Sequence, residues 1–368
     1  MNTDADSSTF LRGSKGSTRA RCGRHAVLVL AAIVLTALPA SSQEVTRHEF
    51  AEVVMGSEFR IVVHSADSSV VRVAARAAFA RVRDLDERLS DWRSDSELSS
   101  LSNIAGVDSC ARVSPDLLYV LTRGQEFAMA SAGSFDMTIG PLSRLWRWGR
   151  RRGQLAPEAR LRHAREAVGY RKLVVDSAHH CVRLTAPEMS LDLGGIAKGY
   201  AADEMLRTLK SHGLRMALID AGGDIVVGDP PPGSHGWLVR VSAADESGRV
   251  VQEGVRLTNA AVASSGDAYR YLEIDGIRYS HILDPMTGYG ITVRRLVTVV
   301  ARSGIEADAI ASAISVMGCN GLRLAELTTS RAWVIEVAGD EHTTLCGTEP
   351  DEFSAKRQIN LLSQTNRK

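Results

Sequence analysis

Side chains and glycines that suit phosphate chemistry occur in the segment SLDLGGIAKGY. Asp192 precedes the pair Gly194 and Gly195, and Lys198 follows in the first turn of a predicted helix. A glycine-rich turn that opens a helix presents backbone N–H groups and the positive helix end to a phosphate. The segment is not a Walker A loop, because Lys198 precedes Gly199 and no Ser or Thr follows a Gly-Lys pair. A phosphate site and a packing turn with a solvated lysine both fit these residues.

A second segment, SGIEADAIASAI, places a carboxylate and a hydroxyl on one face of a predicted helix. Asp308 and Ser312 are four positions apart, so both oxygens project from the same side. Carboxylates and hydroxyls are hard ligands that suit Mg²⁺, which usually completes its shell with water and substrate phosphate. An acidic residue near a helix start is also a common first-turn charge. The spacing therefore allows a magnesium site without requiring one.

The third segment, YSHILDPMTGYG, offers a candidate proton acceptor. His281 lies at the end of a predicted hairpin strand, and Asp284 follows just before Pro285. Histidine titrates close to neutral pH and often acts as a general base, while a nearby carboxylate can orient it. Asp284 and Thr287 equally fit the role of turn caps that accept or donate bonds to the backbone.

Two further segments combine polar groups with flat or open surfaces. GSFDMTIGPLSRLWRWG contains Phe135, Asp136 and Trp146, and AGGDIVVGD contains Gly222 and Gly223, which permit close backbone approach. A packed core with polar turns would show the same residues, so these segments do not by themselves indicate a ligand.

The elements that must position these residues follow from hydrophobic periodicity and turn signals. Helical spacing of apolar residues predicts helices over 70–89, about 115–132, 196–211 and 306–317. Strand patterns predict strands over 187–193 and 296–301, and a hairpin over 269–284 with an Asp-Gly turn. Hairpins recur and strict alternation is lacking, which favours an α+β fold with mixed or antiparallel sheets and flanking helices.

Composition limits the class of protein. The chain has 368 residues and a formal net charge of +1, so nothing indicates binding to nucleic acid. Of its five cysteines, four follow residue 42 without a CxxC pair; an exported chain could form a disulfide from them, but four scattered cysteines are not a disulfide framework. His179, His180 and Cys181 resemble metal ligands, but a hairpin loop is the favoured interpretation because no second cluster accompanies them.

The N-terminal region has the pattern of an export signal. A basic stretch precedes the uninterrupted apolar run 26–40, and small residues follow it. An uncleaved membrane anchor is the alternative, and no cysteine stands directly after the run to accept a lipid. We expect a signal peptide over 1–42, a single domain over 45–348, a polar tail over 349–368, and a periplasmic or cell-envelope location.

The order of these motifs resembles the ApbE family of FAD:protein FMN transferases. The resemblance extends from about residue 55 to residue 317 and includes the following eight segments: MGSEFRI, SDWRSDSELSSLSN, GSFDMTIGPLSRLWRWG, SLDLGGIAKGYAAD, DAGGDIVVGD, SSGDAYRY, HILDPMTGYG and ADAIASA. The segments around Asp192, His281 and Asp308 are the most specific of the eight.

The resemblance implies that one α+β domain holds FAD in a cleft with Mg²⁺. It implies the following site: Met55, Trp92, Ser134, Phe135, Asp136, Asp192, Lys198 and Ile282 around FAD; Asp308, Ser312 and the backbone carbonyl of Gly195 around Mg²⁺; and His281 and Asp284 beside the reacting phosphate. The family usually has Thr at the position of Ser312, Pro at Met137, Arg at Met286 and Thr at Ser265. These departures bear on substrate fit and metal affinity rather than on the reaction class.

The implied reaction is transfer of FMN from FAD to a Thr or Ser hydroxyl of an acceptor protein, with AMP as the leaving group. His281 is the expected proton acceptor. A hydrolase that splits FAD into FMN and AMP is the alternative within the enzymes, and a non-catalytic FAD-binding protein is the alternative outside them. The expected acceptor is a membrane or exported redox protein, and the sequence leaves its identity and the oligomeric state open.

Overall fold

A computed structural model describes residues 44–244, 249–266, 271–338 and 342–347. The predicted leader, 1–42, and the predicted tail, 349–368, lie outside these residues. Among the residues described, helices that combine the length and the apolar character needed to cross a membrane are absent.

The described chain contains fifteen strands and eight α-helices. The strands are β1 (Thr46–Val54), β2 (Ser57–Ser65), β3 (Ala111–Arg112), β4 (Leu173–Asp176), β5 (Cys181–Leu184), β6 (Ala217–Ala221), β7 (Ile225–Val227), β8 (Trp237–Ala244), β9 (Val250–Leu257), β10 (Ala260–Gly266), β11 (Tyr271–Ile274), β12 (Ile277–Ser280), β13 (Arg294–Ala301), β14 (Arg331–Ala338) and β15 (His342–Gly347). The helices are α1 (Ser68–Leu89), α2 (Glu97–Asn103), α3 (Pro115–Ala130), α4 (Gly140–Arg152), α5 (Glu158–Glu166), α6 (Ala197–Ser211), α7 (Gly304–Met317) and α8 (Leu322–Leu327).

Eight strands form the main sheet, in the order β1-β2-β6-β7-β10-β13-β14-β15. Each neighbouring pair in this sheet is antiparallel. The hairpins β8–β9 and β11–β12 and the three strands β3-β5-β4 form separate small sheets. Pairs such as β2–β6 and β7–β10 join segments far apart in sequence, so the sheet is assembled by long-range contacts.

The two faces of the main sheet bury different layers. Along β2, Ile61 and Val63 pack into the larger core with α1, α6 and α7, whereas Val62 packs into a second core. This second core contains Trp237 and Val255, from β8 and β9. Successive residues of a strand point to opposite faces, so the helices cover one face and the β8–β9 hairpin covers the other.

Local signals explain where the helices begin. The exposed side chain of Asp67 accepts hydrogen bonds from the N–H groups of Ser69 and Val70 at the start of α1. Ser114 caps α3 in the same way, and Pro115 occupies the first turn, where its missing N–H costs nothing. Asp and Ser are preferred at this position because their short side chains reach the free N–H groups of the first turn.

Most predicted elements are confirmed, and one is wrong. The helices α1, α3, α6 and α7 cover the four predicted segments. The strands β11 and β12 form the predicted hairpin, whose two turn residues, Asp275 and Gly276, have positive φ. The predicted strand over 187–193 is instead an irregular segment with one isolated bridge between Ile139 and Ser190. The backbone of Glu188 has φ 59°, which breaks an extended conformation.

The four cysteines after residue 42 form two disulfides, Cys110–Cys181 and Cys319–Cys346. Cys181 therefore offers no free thiolate to a metal, which excludes the zinc site considered for 179–181. His180 lies in the turn between β4 and β5, as the hairpin interpretation expects.

Candidate active site

The candidate site forms where α6 and α7 cross. A Cβ placed on Gly199 would lie 2.1 Å from the backbone oxygen of Gly304, so the two helices approach as closely as glycines allow. The crossing brings Asp308, in α7, to the first turn of α6, where its Oδ2 accepts a hydrogen bond of 3.1 Å from the Gly199 N–H. The helix start predicted to contact phosphate and the carboxylate predicted to bind metal therefore share one site.

Asp308 is buried beside a second carboxylate that the sequence did not single out. Lys198 Nζ lies 2.7 Å from Asp224 Oδ2, and Asp224 follows the Gly222-Gly223 pair after β6. Burial, and next the charge of Asp224, raises the pKa of Asp308 to about 8. A cation near Asp308 would favour its ionised form.

Ser312 faces the glycine turn across the site. Its Oγ lies 3.5 Å from the backbone carbonyl oxygen of Gly195. A Cβ on Gly195 would lie 2.6 Å from that Oγ and 3.5 Å from the ring of Phe135, so a side chain at Gly195 would fill this space. A carbonyl, a hydroxyl and a carboxylate make a small set of hard oxygen ligands, which fits Mg²⁺.

The glycine turn uses most of its N–H groups internally. Gly194 donates to Asp192 Oδ1 at 2.9 Å, and the N–H groups of Ile196 and Ala197 donate to the Leu193 carbonyl. The turn therefore offers an anion fewer donors than its glycine content suggests. What it presents toward Ser312 is the carbonyl of Gly195.

Asp192 belongs to a charged cluster next to the turn. Arg147, in α4, forms an ion pair with Asp91 and lies 3.7 Å from Asp192 Oδ2. Its guanidinium lies over the Trp92 ring, 4.2 Å from the centroid. Two predicted FAD contacts, Trp92 and Asp192, are thus joined by an arginine that was not among the predicted site residues.

The predicted contacts at 134–136 lie in the turn that follows α3. Phe135 is buried and faces Gly195, whereas Asp136 supports the turn itself. Asp136 Oδ1 accepts hydrogen bonds from the N–H and hydroxyl of Thr138, and Oδ2 accepts one of 2.7 Å from the Tyr170 N–H. Ser134 is half-buried, and its N–H donates to the Ser131 carbonyl. Both carboxylate oxygens of Asp136 are therefore engaged within the protein.

His281 and Asp284 lie on a separate turn after β12. Asp284 Oδ1 accepts a hydrogen bond of 2.8 Å from the Met286 N–H, so the capping role considered for Asp284 is confirmed. The turn packs through Leu283 on a small core between α4 and α5. Ile282 and His281 are half-buried. Their placement beside a reacting phosphate stays a prediction.

A cavity of about 430 Å³ opens beside this turn. Asp284 lines it together with Tyr279 and Tyr289, whose ring centroids are 6.2 Å apart. Met55, the last predicted FAD contact, occupies the two-residue turn between β1 and β2 with φ 51°. It is half-buried against the larger core.

The fold matches solved flavin transferases. A structure of the flavin transferase ApbE from Vibrio cholerae aligns with a TM-score of 0.74 and 26% identity, over 84% of this chain and all of that one. The apo form of the Pseudomonas stutzeri flavinyl transferase ApbE gives the same TM-score with 31% identity, over 84% of this chain and 97% of the other. The class is therefore the single α+β domain of these flavin transferases.

Sequence comparison places the chain in the same group. The sequence model of the ApbE family matches residues 55–334. A relative from Treponema pallidum named FAD:protein FMN transferase is 32% identical over 289 residues, which cover 74% of this chain and 80% of the relative. One from Vibrio cholerae with the same name is 32% identical over 240 residues, 64% of this chain and 71% of the relative. This chain belongs to the ApbE family.

Proposed function

We propose that this chain is an FAD:protein FMN transferase that uses Mg²⁺ and attaches FMN to a Thr or Ser hydroxyl of an acceptor protein. Membership of the ApbE family and the names of the relatives support FAD as the substrate and FMN transfer as the reaction. The observation that carries the metal dependence is the convergence of Asp308, Ser312 and the Gly195 carbonyl beside the start of α6.

The charges of the site favour a divalent cation. Lys198 carries one positive charge against the two carboxylates of Asp224 and Asp308, so the ionised cluster has a net charge of −1. When bound, Mg²⁺ would offset the charge of the FAD diphosphate and polarise the phosphorus that is attacked. Asp308, Ser312 and the Gly195 carbonyl are the residues that would hold it.

The chain's own residues position the reacting groups and remove the proton of the acceptor hydroxyl. The acceptor hydroxyl oxygen forms a bond to the FMN-side phosphorus, and the bond from that phosphorus to the bridging oxygen breaks, so that AMP leaves with the electron pair. His281 takes the hydroxyl proton, directly or through one water. Such transfers depend mostly on positioning and electrostatics, which suits a rigid helix crossing.

The test is an incubation with FAD, Mg²⁺ and an acceptor protein that carries a candidate Thr. We expect mass spectrometry to show an acceptor mass gain equal to FMN, and loss of that gain in Asp308→Asn and after chelation. Glu306→Gln is a matched control, because Glu306 lies two positions earlier in α7 and pairs with Arg123 instead. FMN and AMP release without an acceptor adduct would indicate the hydrolase, and intact FAD would indicate a binding protein.

We further propose that the domain acts outside the cytoplasm, in the periplasm or cell envelope, on a membrane or exported redox protein. The apolar run 26–40, which lies outside the described residues, supports export. The two disulfides, Cys110–Cys181 and Cys319–Cys346, support it independently, because disulfides persist mainly in oxidising compartments.

A further inference from the structure

Arg147 lies at the centre of a cluster that joins a large exposed aromatic ring to the candidate site. Trp92 is 73% exposed, and the guanidinium of Arg147 lies over one face of its indole, 4.2 Å from the ring centroid. The Arg147 side chain is only 18% exposed, because Asp91 and Asp192 flank it. An exposed tryptophan is thus held by a half-buried cation.

The contacts of Arg147 fix its orientation. Arg147 forms an ion pair with Asp91, its Nε donates a hydrogen bond of 3.3 Å to the Ser143 carbonyl, and its Nη2 lies 3.7 Å from Asp192 Oδ2. Contacts on several sides fix the orientation of the planar guanidinium. The indole that it covers therefore loses rotational freedom. The rest of the Trp92 ring remains open to solvent.

The cluster is also connected to the glycine turn. Asp192 Oδ2 faces Arg147, and Asp192 Oδ1 accepts the Gly194 N–H at 2.9 Å. A chain of direct contacts therefore runs from Trp92 through Arg147 and Asp192 to the turn that carries the Gly195 carbonyl. The positive charge of Arg147 is balanced by two carboxylates, so Arg147 is not arranged as a free phosphate ligand.

We propose that Arg147 is a positioning residue for the flavin ring, which holds Trp92 as a flat surface on which the isoalloxazine stacks and ties that surface to the glycine turn. This proposal rests on the proposed function only in taking FAD as the ligand. A cation over an indole contributes about 0.5 to 2 kcal/mol, which corresponds to roughly a twofold to thirtyfold change in affinity.

The test measures binding of FAD, FMN and ADP separately, together with kcat and KM for transfer. We expect Arg147→Met to weaken FAD and FMN binding about tenfold, to raise KM by a similar factor with kcat within about twofold, and to leave ADP binding unchanged. Arg152→Met is the matched control, because Arg152 lies over a different indole, that of Trp148, at 4.6 Å in the same helix. Arg147→Lys should fall between wild type and Arg147→Met.

A double-mutant cycle separates positioning from a general structural effect. In a Trp92→Ala background, Arg147→Met should cause no further loss of FMN affinity, because the ring that it positions is gone. Equal effects of Arg147→Met and Arg152→Met, or an equal loss of ADP and FMN binding, would overturn the proposal. If the wild type binds FAD but transfers nothing, the proposed function fails while this binding test still decides the role of Arg147.

Discussion

At the scale of residues, the site is organised around an electrostatic imbalance. Asp308 is 6% exposed and lies near Asp224, with Lys198 as the shared counter-charge. A buried carboxylate is costly when it is ionised without a cationic partner, so the pair of carboxylates favours either a proton or a metal ion. The oxygens of Ser312 and Gly195 lie 3.5 Å apart, and Ser312 is one helical turn from Asp308, so three hard oxygens of the kind that suits Mg²⁺ come from neighbouring positions.

The contribution of Ser312 to metal binding can be tested without removing the carboxylate. We expect Ser312→Ala to raise the Mg²⁺ concentration for half-maximal transfer about tenfold, since the proposed metal site loses one oxygen ligand. Ser312→Thr should retain wild-type affinity, because the hydroxyl remains and its χ1 is stiffer. A magnesium titration of transfer activity measures both.

Ser315→Ala is the control for this titration. Ser315 lies one turn further along α7, and its hydroxyl donates to the Ala311 carbonyl at 2.8 Å within the helix. Its loss should leave the magnesium requirement unchanged. Equal shifts in Ser312→Ala and Ser315→Ala would mean that Ser312 acts on the helix and not on the metal.

Sequence spacing predicted candidate site residues only where they lie close together in the chain, on a single helix or turn. Asp308 and Ser312 share a helix face because they are four positions apart, and the structure brings both to the Gly195 turn. Asp224 and Arg147 were missed, since their roles arise from pairing with residues on other elements. A charged residue directly after a glycine pair, as in AGGD, was the available signal for Asp224.

At the scale of elements, the α6–α7 crossing decides where Asp308 lies. Gly199 and Gly304 face each other across it, and a Cβ on either would lie within 2.4 Å of the other residue's backbone oxygen. Asp203 adds a polar tie, because its carboxylate accepts the N–H groups of Gly304 and Ile305 at the start of α7. One helix thus caps the other.

We expect Gly199→Ala to disrupt this crossing. Alanine favours a helix by about 1 kcal/mol over glycine, but its Cβ would clash with backbone, which cannot move aside cheaply. The free energy of unfolding should fall by about 2 kcal/mol and transfer activity by more than tenfold, as denaturant titrations and the transfer assay would show. Ser211→Ala, at the far end of α6, serves as the control. A fully active Gly199→Ala protein would contradict the close packing.

The Asp203 cap gives a prediction about pH. Burial raises the pKa of Asp203 to about 6, despite two N–H donors that act in the opposite direction. A carboxyl group whose pKa is higher in the folded state stabilises the fold when protonated, and this stabilisation is lost as pH rises from about 4 through 6. Asp203→Asn should therefore gain stability relative to wild type by about 2 kcal/mol between pH 4 and pH 7.

Unfolding free energies measured at both pH values test this prediction, and Asp67→Asn provides a contrast of opposite sign. Asp67 caps α1 in solvent, where hydrogen bonds from Ser69 and then Val70 lower its pKa. Its stabilisation is complete above its unfolded pKa of about 4 and is lost as pH falls below that value, so Asp67→Asn should lose stability relative to wild type as pH rises from about 2 to 4, a range added to the measurement for this variant. The same direction of change in both variants would refute the assignment of Asp203.

Helices were predictable from sequence because their periodicity is a local property, as α1, α3, α6 and α7 show. The alternation in 187–193 resembles a strand, but Glu188 at φ 59° interrupts the extended backbone, and the segment forms an isolated bridge between Ser190 and Ile139 instead of a ladder. Pairings such as β2–β6 connect distant segments, and no local pattern specifies them.

At the scale of the whole molecule, one large sheet separates two layers of different construction. The helical layer holds Asp308 and the glycine turn, and the β8–β9 hairpin covers the opposite face. The site therefore depends on helices that are held in place by the sheet beneath them. The disulfide Cys110–Cys181 joins the segment before β3 to β5, and Cys319–Cys346 joins the segment after α7 to β15.

The two disulfides should contribute unequally to global stability. They close segments with sequence separations of 71 and 27 residues, and the chain-entropy argument gives roughly 4 kcal/mol for each, with the longer loop larger by about 1 kcal/mol. We expect Cys110→Ala/Cys181→Ala to lower the unfolding free energy more than Cys319→Ala/Cys346→Ala. Denaturant titrations of both variants, with and without reductant, provide the measurement.

Reductant should destabilise wild type as much as both pairs of substitutions together. A wild type whose stability does not respond to reductant under unfolding conditions would show that these cysteines do not pair, and would remove one of the two supports for an oxidising location.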